Sequence, residues 1–207
     1  PRASPACSPG LVPLVVRMVP DPQSHPVVFC FGEILWDSLP AGLFLGGAPL
    51  NVAYHLARLG MAISPVSCVG DDELGREARR RVESLGLPSN MVAEHPELET
   101  GFVRVELGDT GDARYDILSP VAWDHVPLPP NLDGAAGVVH GSLALRSESN
   151  QRVLRDLIGQ TGARVFFDVN LRPPFDDLDL VREWAEEVTI LKLNEDELER
   201  LVDGGGL

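Results

Sequence analysis

Short apolar runs alternate with amphipathic stretches along most of the chain, beginning at residue 27. Runs that are apolar at nearly every position are typical of strands in a parallel sheet, because helices cover both faces of such a sheet. These runs predict strands at 27–33, 62–69, 137–141, 163–168 and 188–193. Apolar residues at helical spacing predict helices at 49–59, 72–85, 147–159, 177–187 and 194–203. The alternation predicts an α/β doubly wound domain with a mostly parallel sheet.

Two segments interrupt this alternation and carry turn signals. Residues 34–45 contain LPAG between apolar residues, and residues 101–119 contain GDTGD between two strand-like runs. Turns of this kind join neighbouring antiparallel strands, so each segment predicts a hairpin. We therefore expect four strands, at about 34–45 and 101–119, to form a small antiparallel sheet beside the main sheet. This small sheet is called the lid below.

The N-terminal segment differs from the rest in composition. Residues 1–26 begin with Pro, contain seven prolines and show no periodic pattern. This composition predicts a disordered leader at 1–26, with Met18 as the expected initiator, followed by a single domain at 27–207. The apolar run at 11–19 is interrupted by a proline and an arginine. It is far shorter than the ~20 residues of a membrane span, so no membrane partner is expected.

Charge and cysteine content narrow the class of protein. The chain has 31 acidic against 17 basic residues and a formal net charge of -14. Such a surface repels nucleic acid phosphates and anionic lipids. The three cysteines, Cys7, Cys30 and Cys68, are widely spaced, and two of them lie in predicted strands. Reduced, buried thiols in a cytoplasmic protein are therefore expected, in preference to disulfides or metal ligands.

The hexapeptide GGAPLN precedes the first predicted helix. Without a Cβ, Gly46 and Gly47 allow backbone N–H groups to approach a ligand closely. Pro49 suits the first turn of a helix, whose N–H groups point toward the same place. The amide of Asn51 both donates and accepts hydrogen bonds, which suits a ligand rich in hydroxyl groups. The alternative is a plain turn from strand to helix with nothing bound.

A longer stretch of the sequence identifies a family resemblance. GGAPLNVAYHLARLGMAISPVSCVG, at 46–70, matches the first signature of the ribokinase-like (PfkB) carbohydrate kinases, with its Gly-Gly pair, following Asn and two later glycines. Five more segments resemble the family in the family's order: GEILWD (32–37), VGDDELG (69–75), PVAWD (120–124), FDVNLRPPF (167–175) and LKLNEDELERL (191–201). The chain is most similar in appearance to bacterial fructokinases.

The resemblance implies an ATP-dependent kinase that acts on a small sugar, in a ribokinase-like fold whose lid closes over that sugar. It implies that sugar hydroxyls are bound by Asp37, Gly46, Gly47, Asn51 and Asn170. Arg172 would stabilise the charge of the transferring phosphoryl group. Asn194 and Glu197 would lie near the phosphates of ATP, and Glu197 would hold Mg²⁺ through water. Relatives often pair through the lid, so a homodimer is expected.

Each candidate residue also has a purely structural alternative. Asp37 would begin the LPAG turn, and Arg172 would pair with the acidic run at 176–179. Asn194 would cap a helix, and Glu197 would complete a capping box with it. These alternatives stay open at the level of sequence.

A second signature of the family, Asp-Thr-x-Gly-Ala-Gly-Asp, does not occur in the 207 residues. In the family, its glycine-rich helix N-terminus stabilises phosphoryl charge and its final Asp takes the proton of the attacking hydroxyl. The resemblance thus implies that the C-terminal part of the fold is missing from this sequence, with the catalytic Asp expected beyond Leu207. The chain alone is expected to be inactive, because positioning and electrostatics supply most of the catalysis of phosphoryl transfer.

Fructose, converted to fructose 6-phosphate, is the expected substrate, because GGAPLNVAYHLARLG and FDVNLRPPF resemble fructokinases more than ribokinases. A sugar acid of the 2-keto-3-deoxygluconate type is an alternative, and it would need a further cation at the pocket, for which Arg104 is the candidate. A protein that binds sugar without catalysis is a second alternative. A nicotinamide-dependent dehydrogenase is disfavoured, because EILWD follows the first strand in place of a glycine-rich turn.

Overall fold

The computed structural model describes residues 26–107 and 113–203. Its first half contains β1 (Val27–Phe31), β2 (Leu35–Leu39), β3 (Gly42–Gly46), α1 (Ala48–Arg58), β4 (Ala62–Gly70), α2 (Glu73–Ser84) and β5 (Val92–His95). Its second half contains β6 (Gly101–Leu107), β7 (Ala113–Ile117), β8 (Ala135–Gly141), α3 (Glu148–Thr161), β9 (Arg164–Asp168), α4 (Leu178–Glu186), β10 (Ile190–Lys192) and α5 (Glu195–Asp203). Within the described ranges, no helix has the length and apolar character needed to cross a bilayer.

Six strands form the main sheet in the order β10-β9-β8-β1-β4-β5, and its neighbouring strands are all parallel. Side chains alternate across β1. Val28 and Cys30 pack with residues of α1 and α2, whereas Phe29 and Phe31 pack with residues of α3 and α4. Because helices cover both faces, the strands are apolar at nearly every position. The predicted α/β doubly wound fold is confirmed.

The lid is a four-stranded sheet in the order β3-β2-β6-β7. The pairs β2–β3 and β6–β7 are antiparallel, as predicted, but the central pair β2–β6 is parallel. The prediction of an antiparallel lid was therefore wrong for this pair, and the sheet is mixed. Both strands leave the carboxyl edge of the main sheet, β2 after β1 and β6 after β5, and so they run outward in the same direction.

Several features differ from the sequence prediction or lie outside the described residues. The short strand β5 was not predicted, and neither were the 3-10 helices Ala122–His125 and Leu143–Arg146. A four-residue run gives too few positions to establish a period. Residues 1–25 of the predicted leader and the GDTGD turn at 108–112 lie outside the described residues.

Two of the three cysteines are described, and both are free and buried, as predicted. Burial raises the pKa of the Cys30 thiol to about 12. Burial also raises the pKa of Cys68 to about 11, and the charge of Glu94 adds to the shift. Both side chains are therefore neutral thiols at physiological pH and pack as small apolar groups.

The side chain of Asp72 connects the lid to the main sheet through hydrogen bonds. Its carboxylate caps α2 by accepting a hydrogen bond from the N–H of Gly75. It also accepts hydrogen bonds from the N–H and the hydroxyl of Thr100, which immediately precedes β6. The same Thr100 hydroxyl accepts the N–H of Gly70 at the end of β4. One side chain thus joins the end of a core strand, the start of a helix and the start of a lid strand.

We expect Asp72→Ala to lower the free energy of unfolding by about 2 kcal/mol, because it removes a helix cap and leaves backbone donors without partners. Asp71 provides the matched control, since its ion pair with Arg76 is exposed and should contribute less than about 0.5 kcal/mol. Urea unfolding of the two alanine variants measures both values. Equal losses would show that the Asp72 network contributes no more than a surface ion pair.

Candidate functional site

A cavity of about 220 Å³ lies between the carboxyl end of β1 and the lid. Its polar lining consists of Glu33, Asp37, Asn51, Asn170 and Arg172, together with the backbone at Gly47 and Ala48. Its apolar lining consists of Leu35, Val103, Ile117 and Leu143. The lining comes from the loop after β1, from lid strands, from the start of α1, from the 3-10 helix after β8 and from the loop after β9. Five of the predicted site residues therefore meet in one place: Asp37, Gly47, Asn51, Asn170 and Arg172.

Asp37 lies on β2 and is half-buried. Burial raises the pKa of Asp37, and the positive charge of Arg172 acts in the opposite direction. Gly46 is not part of the lining but lies against this carboxylate, since a Cβ at Gly46 would overlap Oδ2 of Asp37. Gly46 therefore makes room for the carboxylate, which is a different role from the predicted contact with sugar.

Gly47 is the N-cap of α1 and has a φ of 116°, a conformation that favours glycine. A Cβ there would also overlap the carbonyl oxygen of Glu33. The helix begins directly after Gly47, with Pro49 in its first turn and Asn51 one turn along. The glycine and the proline together bring the start of the helix to the edge of the cavity.

Glu33 lines the cavity, and sequence analysis missed it. Its side chain is 3% exposed, Oε1 accepts the N–H of Ala48 at 3.0 Å, and Oε2 has no partner among the described residues. Burial raises the pKa of Glu33 to about 7, although hydrogen bonds from backbone N–H groups and the charges of Arg172 and Arg146 oppose the shift. An acidic residue inside the otherwise apolar run FCFGEIL was the signal that would have identified it.

The loop after β9 carries two of the lining residues. Asn170 has a φ of 43°, in the left-handed region that Asn tolerates better than most residues. Arg172 donates from Nη1 to the carbonyl of Leu171 at 3.0 Å. The acidic run that was the structural alternative for Arg172 has other partners, since Asp176 pairs with Arg200. Asp179 likewise pairs with Arg182, and Asp177 caps α4.

Arg104 is not brought to the cavity. It lies on β6 next to Val103, which lines the cavity, and side chains alternate along a strand. The Arg104 side chain therefore projects from the opposite face of the lid, where its Nη1 lies 3.7 Å from a carboxylate oxygen of Asp116. The side chain that was expected to bind a sugar acid therefore lies on the outer surface of the lid.

Asn194 and Glu197 form a capping box at the start of α5. The N–H of Glu197 donates to the Asn194 side chain at 2.8 Å, and the N–H of Asn194 donates back to Oε2 of Glu197 at 2.9 Å. Oε1 of Glu197 accepts the N–H of Leu171 at 2.9 Å. These contacts match the structural alternative, and they also fix the loop that carries Asn170 and Arg172.

The geometry does not favour Glu197 as a direct ligand of Mg²⁺, and its predicted contact with the ion through water stays a prediction. Its side chain is buried, and each carboxylate oxygen already accepts a backbone N–H. Across the described ranges, no group of three or more His, Cys, Asp or Glu side chains is arranged to hold a metal ion.

A doubly wound parallel sheet with a mixed β lid over a polar cavity is the architecture of the ribokinase-like kinases. Residues 41–204 match the pfkB family of carbohydrate kinases, and the chain belongs to this family.

Several relatives that are similar to the chain carry fructokinase names. It is 29% identical to a probable chloroplastic fructokinase-6 of Arabidopsis thaliana, over 88% of this chain and 54% of that protein. It is 30% identical to a fructokinase of Salmonella typhimurium, over 83% of this chain and 61% of that protein. A crystal structure of a Vibrio cholerae O395 fructokinase with fructose, ADP and calcium superposes with a TM-score of 0.75 at 23% identity, over 87% and 64% of the two chains. The chain thus spans a little over half the length of these curated relatives.

Proposed function

We propose that the full-length protein transfers the γ-phosphoryl group of ATP to a hydroxyl of a neutral sugar, with fructose as the substrate and fructose 6-phosphate as the product. The observation that supports this most strongly is the convergence of Asp37, Asn51 and Asn170 on one cavity beneath the lid. Carboxylate and amide groups suit hydroxyls, which both donate and accept hydrogen bonds. This chain would then supply the acceptor half of the active site.

Each group has a role that follows from its chemistry. The Asp37 carboxylate would accept hydrogen bonds from two sugar hydroxyls and so fix the orientation of the ring. The guanidinium of Arg172 would stabilise negative charge that develops on the transferring group. Val103 and Ile117 on the lid would exclude water, which limits wasteful hydrolysis of ATP. A carboxylate beyond Leu207 would take the proton of the attacking hydroxyl.

ATP is the proposed phosphoryl donor, and the related Vibrio cholerae fructokinase has been crystallised with ADP and calcium. A divalent cation such as Mg²⁺ would arrive on the phosphates of the nucleotide and retain water ligands. Pairing of two copies through the lid stays a prediction.

The charges of the lining favour a neutral sugar over a sugar acid. Glu33 and Asp37 are acidic, and among the described lining residues only Arg172 is basic. A sugar carboxylate would meet two carboxyl groups there, and the cation that was expected to compensate, Arg104, lies outside the cavity. The fructokinase names of several relatives support the same choice.

Measuring ATP turnover by the full-length protein tests this proposal, with fructose and 2-keto-3-deoxygluconate as acceptors. We expect turnover with fructose, and we expect Arg104→Ala to change the KM for fructose by less than about twofold, because the side chain is outside the cavity. Turnover with the sugar acid alone would reject fructose as the substrate. Fructose binding in calorimetry without turnover would support the non-catalytic alternative.

A further inference from the structure

Arg146 joins three segments of the chain, and each of them also lines the cavity. The lid ends with Ile117, and the 3-10 helix after β8 begins with Leu143. The loop after β9 carries Asn170 and Arg172. Arg146 is the last residue of the 3-10 helix, and its side chain is only 6% exposed. A buried cation therefore lies where these three parts of the site meet.

The contacts of Arg146 hold its guanidinium group in a fixed plane. Nε and Nη2 donate to the two carboxylate oxygens of Asp124 at 2.7 and 2.9 Å. Nη2 also donates to the carbonyl of Leu118, one residue after the lid, at 2.9 Å. The Cζ atom lies 3.9 Å from the ring centroid of Trp123 and 4.3 Å from that of Phe175. The guanidinium is thus paired at one edge and contacts two aromatic rings.

The two aromatic rings connect Arg146 to opposite sides of the site. On one side, Trp123 lies against the first residue of β6, since a Cβ at Gly101 would overlap its indole. On the other side, the N–H of Phe175 donates to the carbonyl of Arg172 at 2.9 Å. The position of the Phe175 ring is therefore tied to the backbone of Arg172. A chain of contacts runs from the lid through Trp123, Arg146 and Phe175 to the loop after β9.

We propose that Arg146 is a positioning residue, whose stack between Trp123 and Phe175 fixes the lid relative to the loop that carries Asn170 and Arg172. Lysine does not replace it, because an ammonium group has neither the planar fork that pairs with Asp124 nor the flat faces that stack on the rings. Where it concerns sugar affinity, this inference rests on the proposed function.

A double-variant comparison of Arg146→Lys and Phe175→Leu in the full-length protein tests the proposal. Both changes break the contact between the guanidinium and the Phe175 ring, so each should raise the Kd for fructose about tenfold. The Kd of the double variant should not exceed the higher of the two single-variant values. The Kd for ATP should stay within about twofold of wild type. Hydrogen exchange at the hydrogen-bonded amides of this loop, those of Leu171 and Phe175, should be about tenfold faster in both single variants when measured without sugar.

Arg155 supplies the matched control for a loss of general stability. Its guanidinium lies 4.5 Å from the ring centroid of Trp184 and pairs with Glu183, but it lies on α3 and does not line the cavity. Arg155→Lys should leave the Kd for fructose and the exchange rates of the loop unchanged.

Two results would overturn the role of Arg146. One is a lower melting temperature with unchanged fructose Kd and unchanged exchange in the loop, and the other is full additivity of the two variants in both measurements. Failure of the wild-type protein to bind fructose would reject the proposed function instead. The exchange rates would still decide whether Arg146 positions the loop, because they are measured without sugar.

Discussion

Asp37→Asn should weaken fructose binding by the full-length protein about 100-fold and lower kcat/KM for fructose at least as much. The change preserves the size of the side chain but removes the negative charge that strengthens two hydrogen bonds to sugar hydroxyls, which costs about 3 kcal/mol. The side-chain nitrogen of the introduced asparagine would also place a hydrogen-bond donor opposite a sugar hydroxyl that donates. Calorimetry with fructose and steady-state kinetics with ATP measure the two effects.

Ser38 provides the control for Asp37. It is the next residue on β2, so its side chain projects from the other face of the strand, and it does not line the cavity. Ser38→Ala should bind fructose as the wild type does, and both variants should retain wild-type affinity for ATP. Wild-type fructose affinity in Asp37→Asn would return Asp37 to the structural alternative, in which it only begins the turn between β2 and β3.

Glu33 should make the free energy of unfolding depend on pH in a window from about 4.5 to about 7. The pKa of its carboxyl is raised by burial from 4.5 to about 7. Below this window the folded and unfolded states are both protonated, so Glu33 has no effect. As the pH rises through this window, the Glu33 carboxyl ionises in the unfolded state before it ionises in the folded state, so the free energy of unfolding falls. The loss is complete above pH 7 and amounts to roughly 3 kcal/mol.

His140 should act with the opposite sign in nearly the same window. It is buried beside Phe167 and Trp184, and burial lowers its pKa from 6.5 to about 4. As the pH falls from 6.5 toward 4, the His140 imidazole is protonated in the unfolded state but stays neutral in the folded state. The free energy of unfolding therefore decreases as the pH falls. The contribution is again roughly 3 kcal/mol. In the wild type, the two residues therefore largely cancel between about pH 4.5 and 6.5.

Urea unfolding of Glu33→Gln and His140→Phe between pH 4.5 and 7.5 separates the two contributions. Relative to the wild type, Glu33→Gln should gain stability as the pH rises, whereas His140→Phe should gain stability as the pH falls. Gln keeps the oxygen that accepts the N–H of Ala48, so the helix start is preserved. A difference from wild type that does not vary with pH, in either variant, would show that the residue in question titrates with an ordinary pKa.

The period of the apolar residues was enough to locate five of the six strands of the main sheet and the five α-helices. These elements bury one face or both in a core, so burial leaves a repeating trace in the local sequence. β5 left no such trace, because its four residues, VAEH, include two polar ones and do not form an apolar run. The parallel pairing of β2 with β6 was not predictable from turn signals, because it depends on where two distant strands leave the main sheet.

The candidate site was predicted in part. Asp37, Gly47, Asn51, Asn170 and Arg172 were identified because they belong to segments that resemble a family, and they line one cavity. The structure gave Gly46, Arg104 and Glu197 other surroundings, since the orientation of a side chain depends on strand alternation and on neighbours that are distant in sequence. Glu33 and Arg146 acquire their significance only from burial and from contacts across the fold.

The sequence by itself determined the α/β alternation, the membership of a sugar kinase family and most of the polar residues that line the cavity. These properties are carried by local period and by contiguous motifs, which a chain displays without being folded. The tertiary structure alone decided which carboxyl groups are buried, which arginine faces the cavity and which one stacks beside it. Desolvation, charge pairing and stacking are properties of groups that approach one another in space, and no local segment of the chain records them.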